Sequence, residues 1–219
     1  MKLTSLKTFW TGLGCLAVFL VLTALICFVD VQAIGPEGSL VGFASLNGAF
    51  HALTGENMLL YSLTDLLELL CIGICLAFCV LGLVQWIKRK HLLRVDHDLL
   101  ALGVFYVVVV ACFLFFELVT INYRPVLIEG VLEGSYPSST TLLVLSVMLS
   151  TVLQLRIRVA KQGLCRLLSA LSVFFAVFMV AGRLLSGVHW LTDIVGSVLL
   201  SLGLFFLLSA VTACLRKRA

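Results

Sequence analysis

The stretch from Ile194 to Leu215, IVGSVLLSLGLFFLLSAVTACL, runs for 22 residues without a charged side chain. A helix needs about 20 mainly apolar residues to cross a hydrocarbon core about 30 Å thick. A lipid-facing strand would need alternating polarity, whereas this run is apolar on all sides, so the pattern favours a helix. The sequence therefore predicts that residues 194–215 form a membrane-spanning helix.

Five further uncharged runs precede this one, and four of them are 18–22 residues long. The five are Thr8–Val29, Leu69–Ile87, Leu99–Phe116, Gly134–Leu155 and Leu167–Gly182. The last has 16 residues, but Leu184 and Leu185 extend it if Arg183 faces the protein interior. We therefore predict an all-α integral membrane protein whose six transmembrane helices form a single domain, residues 1–219.

The composition supports this prediction and excludes several classes of protein. Hydrophobic residues make up 62% of the chain, charged residues 12%, and the mean hydropathy is +1.18. A soluble domain carries about 45–50% apolar and about 25% charged residues. The composition excludes a soluble enzyme, a disordered chain and a nucleic-acid-binding domain, so we expect no nucleic-acid partner.

The basic residues indicate how the helices are oriented. Cytoplasmic loops of membrane proteins carry an excess of Lys and Arg. With both termini in the cytoplasm, 13 of the 15 basic residues are cytoplasmic: Lys2, Lys7, Lys88, Arg89, Lys90, Arg94, Arg156, Arg158, Lys161, Arg166, Arg216, Lys217 and Arg218. Only Arg124 and Arg183 fall on the outer side, and that exception calls for a local reason. We predict a multi-pass protein of the plasma membrane with cytoplasmic termini.

Two features concern the outer side near the N-terminus. The first apolar run exceeds the core of about 7–15 residues that is typical of signal peptides, so we expect an uncleaved signal-anchor. An outer loop is expected over residues 30–65. In it Phe43, Leu46, Phe50 and Leu53 recur at helical spacing, which predicts a short helix in the membrane interface.

Polar residues gather in three segments that the predicted topology brings to the outer surface. The segments are Glu117–Pro125 (ELVTINYRP), residues 135–141 (SYPSSTT) and residues 182–193 (GRLLSGVHWLTD). Each alone has a structural explanation: an arginine reaching headgroups, a Pro-Ser helix start, or a His-Asp capping pair. Together they contain both outward-facing basic residues, and ionisable groups in such positions mark functional sites.

The residue types in these segments suit phosphate chemistry. Arg124 and Arg183 offer planar guanidinium groups that match phosphate oxygens. Pro137 is placed for the first turn of the fourth span, where free backbone N–H groups of the residues after it form an anion site. His189 and Asp193 are four residues apart, so on a helix they share a face. The carboxylate then orients the imidazole and stabilises the cation that forms when the imidazole attacks phosphorus.

The three segments resemble the motifs of the type 2 phosphatidic acid phosphatase family, six-helix membrane proteins that act on lipid phosphates. The family motif of Lys, six residues and Arg-Pro corresponds to Glu117…Arg124-Pro125. Its Pro-Ser-Gly-His motif corresponds to Pro137-Ser138-Ser139-Thr140. Its third motif, Ser-Arg, five residues, His, three residues and Asp, corresponds to Gly182-Arg183…His189…Asp193 with both spacings intact.

The resemblance implies a role for each matching residue. His189 would be the nucleophile that forms a phosphohistidine, and Asp193 would orient it. The phosphoryl oxygens would be bound by Arg124, Arg183, Ser138 and Ser139. The family uses no metal and no other cofactor, and the partner implied is a membrane lipid phosphate as substrate.

The sequence departs from the family pattern at Glu117, where the family has Lys, at Thr140, where it has the His that protonates the leaving group, and at Gly182. The missing His matters because general acid catalysis raises a reaction rate by about 10²–10⁴-fold.

One hypothesis is hydrolysis of a lipid phosphate or diphosphate, with an isoprenoid diphosphate favoured because phosphate leaves more easily than an alkoxide. Glu117, Thr140 and Tyr136 are auxiliary candidates, and a protonated Glu117 could donate. The alternative is a non-catalytic protein that binds, senses or transports lipid phosphates.

Overall fold

The structure, a computed structural model, describes residues 3–216, with side chains described from Ser5 onward. Its helices are α1 (Leu3–Phe28), α2 (Ala44–Thr54), α3 (Met58–Arg89), α4 (His97–Leu118), α5 (Ser139–Arg158), α6 (Gln162–Leu185) and α7 (Leu191–Leu215). Short 3₁₀ turns occupy Pro36–Gly38 and Leu92–Arg94. All of these helices except α2 are long and apolar enough to cross a membrane. The prediction of an all-α membrane protein with six spans is confirmed.

The starts of α3 and α5 differ from the sequence prediction, and each difference has a local cause. Helix α3 begins at Met58 rather than at Leu69, because Asp65 and Glu68 lie within the helix and contact polar partners instead of ending it. Helix α5 begins at Ser139 rather than at Gly134, and Pro137 precedes it instead of lying in its first turn. The Ser138 hydroxyl accepts a hydrogen bond from the Thr141 N–H and caps the helix.

Helices α5 and α7 form the centre of the bundle, where much of each helix is buried. Helix α1 packs along α7, and a Cβ on Gly12 would lie 3.0 Å from the Gly203 carbonyl oxygen. Small residues at such positions allow two helix backbones to approach closely. Helix α6 packs on α5, and Arg183 in its last turn is 2% exposed. The expectation that this arginine faces the interior and lets the helix extend past it is confirmed.

Successive spans run in opposite directions, so the connections between them lie at two ends of the bundle, and the two ends carry different charged residues. One, the basic end, holds the α3–α4 and α5–α6 connections, and there Arg158 forms ion pairs with Asp96 and Asp98. Although burial opposes it, hydrogen bonds from Gln85, Arg89 and Arg158 lower the pKa of Asp96 to about 2. Lys2, Lys217 and Arg218, which the sequence also placed at this end, lie outside the described residues. The other, the His189 end, holds residues 119–138 and 186–190.

The connection between α1 and α3 lies at the His189 end and spans residues 29–57, ending earlier than the predicted outer loop because α3 begins at Met58. Its helix α2 is attached to the start of α7 through Asn47. The Asn47 side chain donates to Thr192 Oγ1 at 3.0 Å and accepts from the Thr192 N–H at 3.2 Å. Leu46 and Leu53 remain exposed on α2. This helix therefore supports the α6–α7 turn that carries His189.

Candidate functional site

His189 lies in the turn between α6 and α7 and is 3% exposed. Its Nε2 is 3.3 Å from Arg124 Nη1, and its Nδ1 is 3.6 Å from Asp193 Oδ2. A guanidinium group can only donate, so Nε2 is the acceptor in the contact with Arg124. That assignment leaves the ring proton on Nδ1, the nitrogen that faces Asp193.

Asp193 is fully buried in the first turn of α7, and its Oδ2 accepts a hydrogen bond of 2.9 Å from the Trp190 N–H. The sequence predicted that His189 and Asp193 share a helix face. That geometry is wrong, since α7 begins at Leu191 and His189 precedes it. The helix start brings the two side chains together instead, at an ion-pair distance that is too long for a hydrogen bond.

The turn that carries His189 depends on Gly187. This residue has φ +71°, and a Cβ on it would lie 1.9 Å from the Gly55 carbonyl oxygen. Neither the backbone conformation nor the available space admits a side chain. The turn is also held by a contact of 3.0 Å between His51 Nε2 and the Gly187 carbonyl oxygen. His51 thus contacts the turn and does not line the cavity beside His189.

We expect Gly187→Ala to lower stability by at least about 2 kcal/mol, because the added methyl group must displace backbone at a strained φ. Thermal unfolding of the purified protein in detergent measures this change. Gly73→Ala is the matched control, since a Cβ on Gly73 meets no atom within 4 Å and alanine favours a helix. Equal melting temperatures for the two variants would contradict the importance of the close approach at Gly187.

Arg124 lies in the connection between α4 and α5 and is 9% exposed. Its backbone N–H donates to the Glu133 carbonyl oxygen at 3.0 Å, and its Nε is 3.0 Å from Glu133 Oε2. Next to it, the Tyr123 carbonyl oxygen accepts a hydrogen bond of 2.7 Å from Trp190 Nε1. These contacts hold the guanidinium group against His189.

A cavity of about 70 Å³, here named the His189 cavity, opens beside Arg124 and His189. Both Glu117 and Glu133 line it, so two carboxylates share the cavity with one guanidinium group and one imidazole. Its remaining lining residues are Phe113, Phe116, Gly134, Ser135, Tyr136, Pro137, Ser139 and Leu142. His189 is the one histidine among the described residues that line the cavity. No sequence pattern pointed to Glu133, which lies outside the three motifs.

Of the two serines at the start of α5, one lines this cavity and the other does not. Ser139 lines it, but Ser138 is buried and its N–H donates to the Asp193 carbonyl oxygen at 3.4 Å. The Ser138 amide, which the sequence left free for an anion, is therefore engaged inside the protein. Tyr136 also lines the cavity, and its hydroxyl is 2.7 Å from Thr23 Oγ1 on α1.

Arg183 enters from α6 without contacting His189 directly. Its Nη2 is 3.1 Å from Asp65 Oδ1 and also donates to Thr140 Oγ1, and its guanidinium carbon lies 4.7 Å from the centre of the Tyr61 ring. The Arg183 Nε atom is buried and has no hydrogen-bond partner among the described residues. An unpartnered buried donor is costly unless a ligand satisfies it.

The charges around His189 favour its neutral form. Burial, together with the positive charges of Arg124 and Arg183, lowers the pKa of His189 well below its ordinary value of 6.5. A neutral imidazole keeps the lone pair that a nucleophile needs. Among residues 3–216, no three His, Cys, Asp or Glu side chains converge as a metal site requires.

We expect Arg124→Ala to raise the pKa of His189. A neighbouring positive charge disfavours the imidazolium, so removing that charge makes protonation easier and moves the titration to higher pH. Histidine NMR signals followed against pH in the ligand-free protein measure the shift. Arg156→Ala, at the exposed basic end, is the control that should leave the titration unchanged. A titration of His189 that Arg124→Ala leaves in place would contradict the role assigned to this charge.

A profile of the PAP2 superfamily matches residues 104–216, more than half of the chain and the part that holds all three motifs. A search of curated proteins gave no match. Among solved structures the chain is similar to the "first transmembrane PAP2 type phosphatidylglycerolphosphate phosphatase from Bacillus subtilis", with a TM-score of 0.62 and 18% sequence identity. That similarity covers 94% of this chain and 97% of that chain, and it shows a shared fold. The chain belongs to the PAP2 superfamily.

Proposed function

We propose that this protein hydrolyses a lipid phosphate or diphosphate through a phosphohistidine formed at His189. The observation that carries the proposal is the placement of the imidazole. Its Nε2 lies 3.3 Å from Arg124 Nη1 beside the His189 cavity, and its Nδ1 lies 3.6 Å from Asp193 Oδ2. A positioned nucleophile of this kind splits hydrolysis into two easier steps.

The first step is attack of Nε2 on phosphorus. A bound phosphoryl group takes up the donors of Arg124, which frees the Nε2 lone pair. Asp193 then stabilises the positive charge that the imidazole gains as the N–P bond forms. Arg183, whose Nε has no partner among the described residues, and Ser139 at the cavity wall supply further donors to the phosphoryl oxygens. Ser138 contributes by capping α5 and so holding Ser139 in place.

The site faces the outer leaflet of the plasma membrane in this proposal. The described basic side chains cluster at the end opposite His189, and an excess of such residues is typical of the cytoplasmic side. Arg124 and Arg183, the basic residues at the His189 end, both take part in the site. Their place in phosphate binding explains why they depart from the distribution of the other basic residues.

An isoprenoid diphosphate is the favoured substrate. Thr140 occupies the position at which the family's second motif has its histidine acid, and a threonine hydroxyl is a weak acid. Departure of a phosphate from a diphosphate lipid needs less protonation than departure of an alkoxide from a monophosphate. The site should therefore tolerate a diphosphate with less help from an acid.

The test is phosphate release by the purified protein from a panel of lipid monophosphates and diphosphates. Phosphohistidine is labile in acid, so the reaction with labelled substrate is quenched in base. We expect a label on wild-type protein that is lost in His189→Ala. Lipid binding without turnover or label would contradict hydrolysis and would identify the protein as a non-catalytic binder of lipid phosphates.

A further inference from the structure

Glu68 is a half-buried acidic residue that none of the family motifs contains. It lies on α3, and its Oε2 accepts a hydrogen bond of 2.6 Å from Thr140 Oγ1. The Thr140 hydroxyl in turn accepts from Arg183 Nη2. Among the residues the structure describes, Thr140 is the one hydrogen-bond partner of Glu68. A carboxyl group is thus held next to the residue where an acid is expected and a threonine stands.

Glu68 also lines a second cavity of about 310 Å³, here named the α3–α4 groove. Its other lining residues are Val109, Val110, Phe113, Ser139, Leu142 and Leu143. Three of these, Phe113, Ser139 and Leu142, also line the His189 cavity. The apolar groove therefore adjoins the polar cavity, and His189 lines only the cavity while Glu68 lines only the groove.

This arrangement fits a lipid phosphate whose phosphoryl group lies in the His189 cavity and whose chain lies in the groove. The oxygen that joins them then lies at the shared wall. In phosphoryl transfer the attacking and leaving atoms are roughly in line, so the leaving oxygen is opposite Nε2. We propose that Glu68, held by Thr140, is the acid that protonates this oxygen as it leaves phosphorus.

The proposal rests on the proposed hydrolysis and completes its proton balance. As His189 Nε2 forms a bond to phosphorus, the P–O bond to the lipid breaks and its electron pair goes to the lipid oxygen. That oxygen takes the proton of the Glu68 carboxyl group, which becomes a carboxylate. In the second step water attacks phosphorus, the N–P bond breaks and its electron pair returns to Nε2; both water protons leave with the phosphate product, and solvent reprotonates Glu68 before the next turnover. The apolar wall of the groove favours the neutral carboxyl group at the start.

The test compares leaving groups in Glu68→Gln. Its amide fills the same space but carries no acidic proton. The substrates are an alkyl lipid monophosphate, whose leaving oxygen needs a proton, and p-nitrophenyl phosphate, whose leaving group does not. We expect Glu68→Gln to lower turnover of the alkyl monophosphate by about 10²-fold or more and turnover of p-nitrophenyl phosphate by less than about threefold. Glu37→Gln, a change far from the described site contacts, should leave both rates unchanged.

Retained turnover of p-nitrophenyl phosphate also shows that the variant is folded, so a selective loss cannot come from misfolding. An equal loss on both substrates, or no loss on the alkyl monophosphate, would overturn the role of Glu68 while wild-type hydrolysis upheld the proposed function. Wild-type turnover of a lipid diphosphate without turnover of the alkyl monophosphate would also overturn the role of Glu68, because an acid beside the leaving oxygen should allow the monophosphate to react. If wild-type protein hydrolysed none of the three substrates, the proposed function itself would fail, and the role of Glu68 with it.

Discussion

Replacing His189 with alanine should lower the rate of phosphate release by at least about 10³-fold, because the variant has no nucleophile at the cavity. Water would have to attack the phosphorus atom directly, without the covalent intermediate. No second imidazole replaces it among the described lining residues, since His51 contacts the Gly187 carbonyl group and does not line the cavity. The measurement is kcat with a saturating lipid diphosphate.

The matched control for this prediction is His97→Ala. His97 begins α4 at the basic end, far along the bundle from the site, and its loss should change kcat by less than about twofold. Thermal unfolding of both variants checks that the bundle is intact. A His189→Ala protein with kcat within about tenfold of wild type would exclude the phosphohistidine route and leave the function to be reconsidered.

The spans could be predicted from charge spacing because a charged side chain in hydrocarbon is costly without a partner. The same reasoning misplaced the start of α3. Asp65 and Glu68 were taken to precede the span, but their partners are Arg183 and Thr140, which are distant in sequence. A rule that reads each charge as the end of a helix cannot detect a charge that is paired across the bundle.

The sequence predicted only those candidate site residues that lie within the three motifs. Arg124, His189 and Asp193 converge as the sequence predicted, although a turn rather than a helix face brings His189 to Asp193. Glu133, which lines the His189 cavity, and Glu68, which contacts Thr140, were not predictable, because each lies on an element outside the motifs. Their positions depend on how α3 and the α4–α5 connection pack, which no local spacing encodes.

Arg183 could bind phosphate or only hold helices together, because its guanidinium group already contacts Asp65 and Thr140. Experiments on this residue must therefore distinguish the two roles. We expect Arg183→Ala to lower kcat/KM by about 10²–10³-fold, the usual loss when one preorganised donor group is removed. Arg183→Lys keeps the charge but loses the planar fork of donors, so we expect an intermediate loss of about tenfold. The measurement is kcat/KM with the same lipid diphosphate, with Arg156→Ala at the basic end as the control.

Inhibition by inorganic phosphate separates the two roles. If Arg183 binds phosphoryl oxygens, the inhibition constant should rise in Arg183→Lys while the melting temperature stays close to that of wild type, because the lysine ammonium can still pair with Asp65. If Arg183 only anchors α3 to α6, the melting temperature should fall and phosphate inhibition of the folded protein should not change. The Arg183 Nε atom is buried and has no hydrogen-bond partner among the described residues, so it is a donor that a bound phosphoryl oxygen would satisfy, and we expect the first outcome.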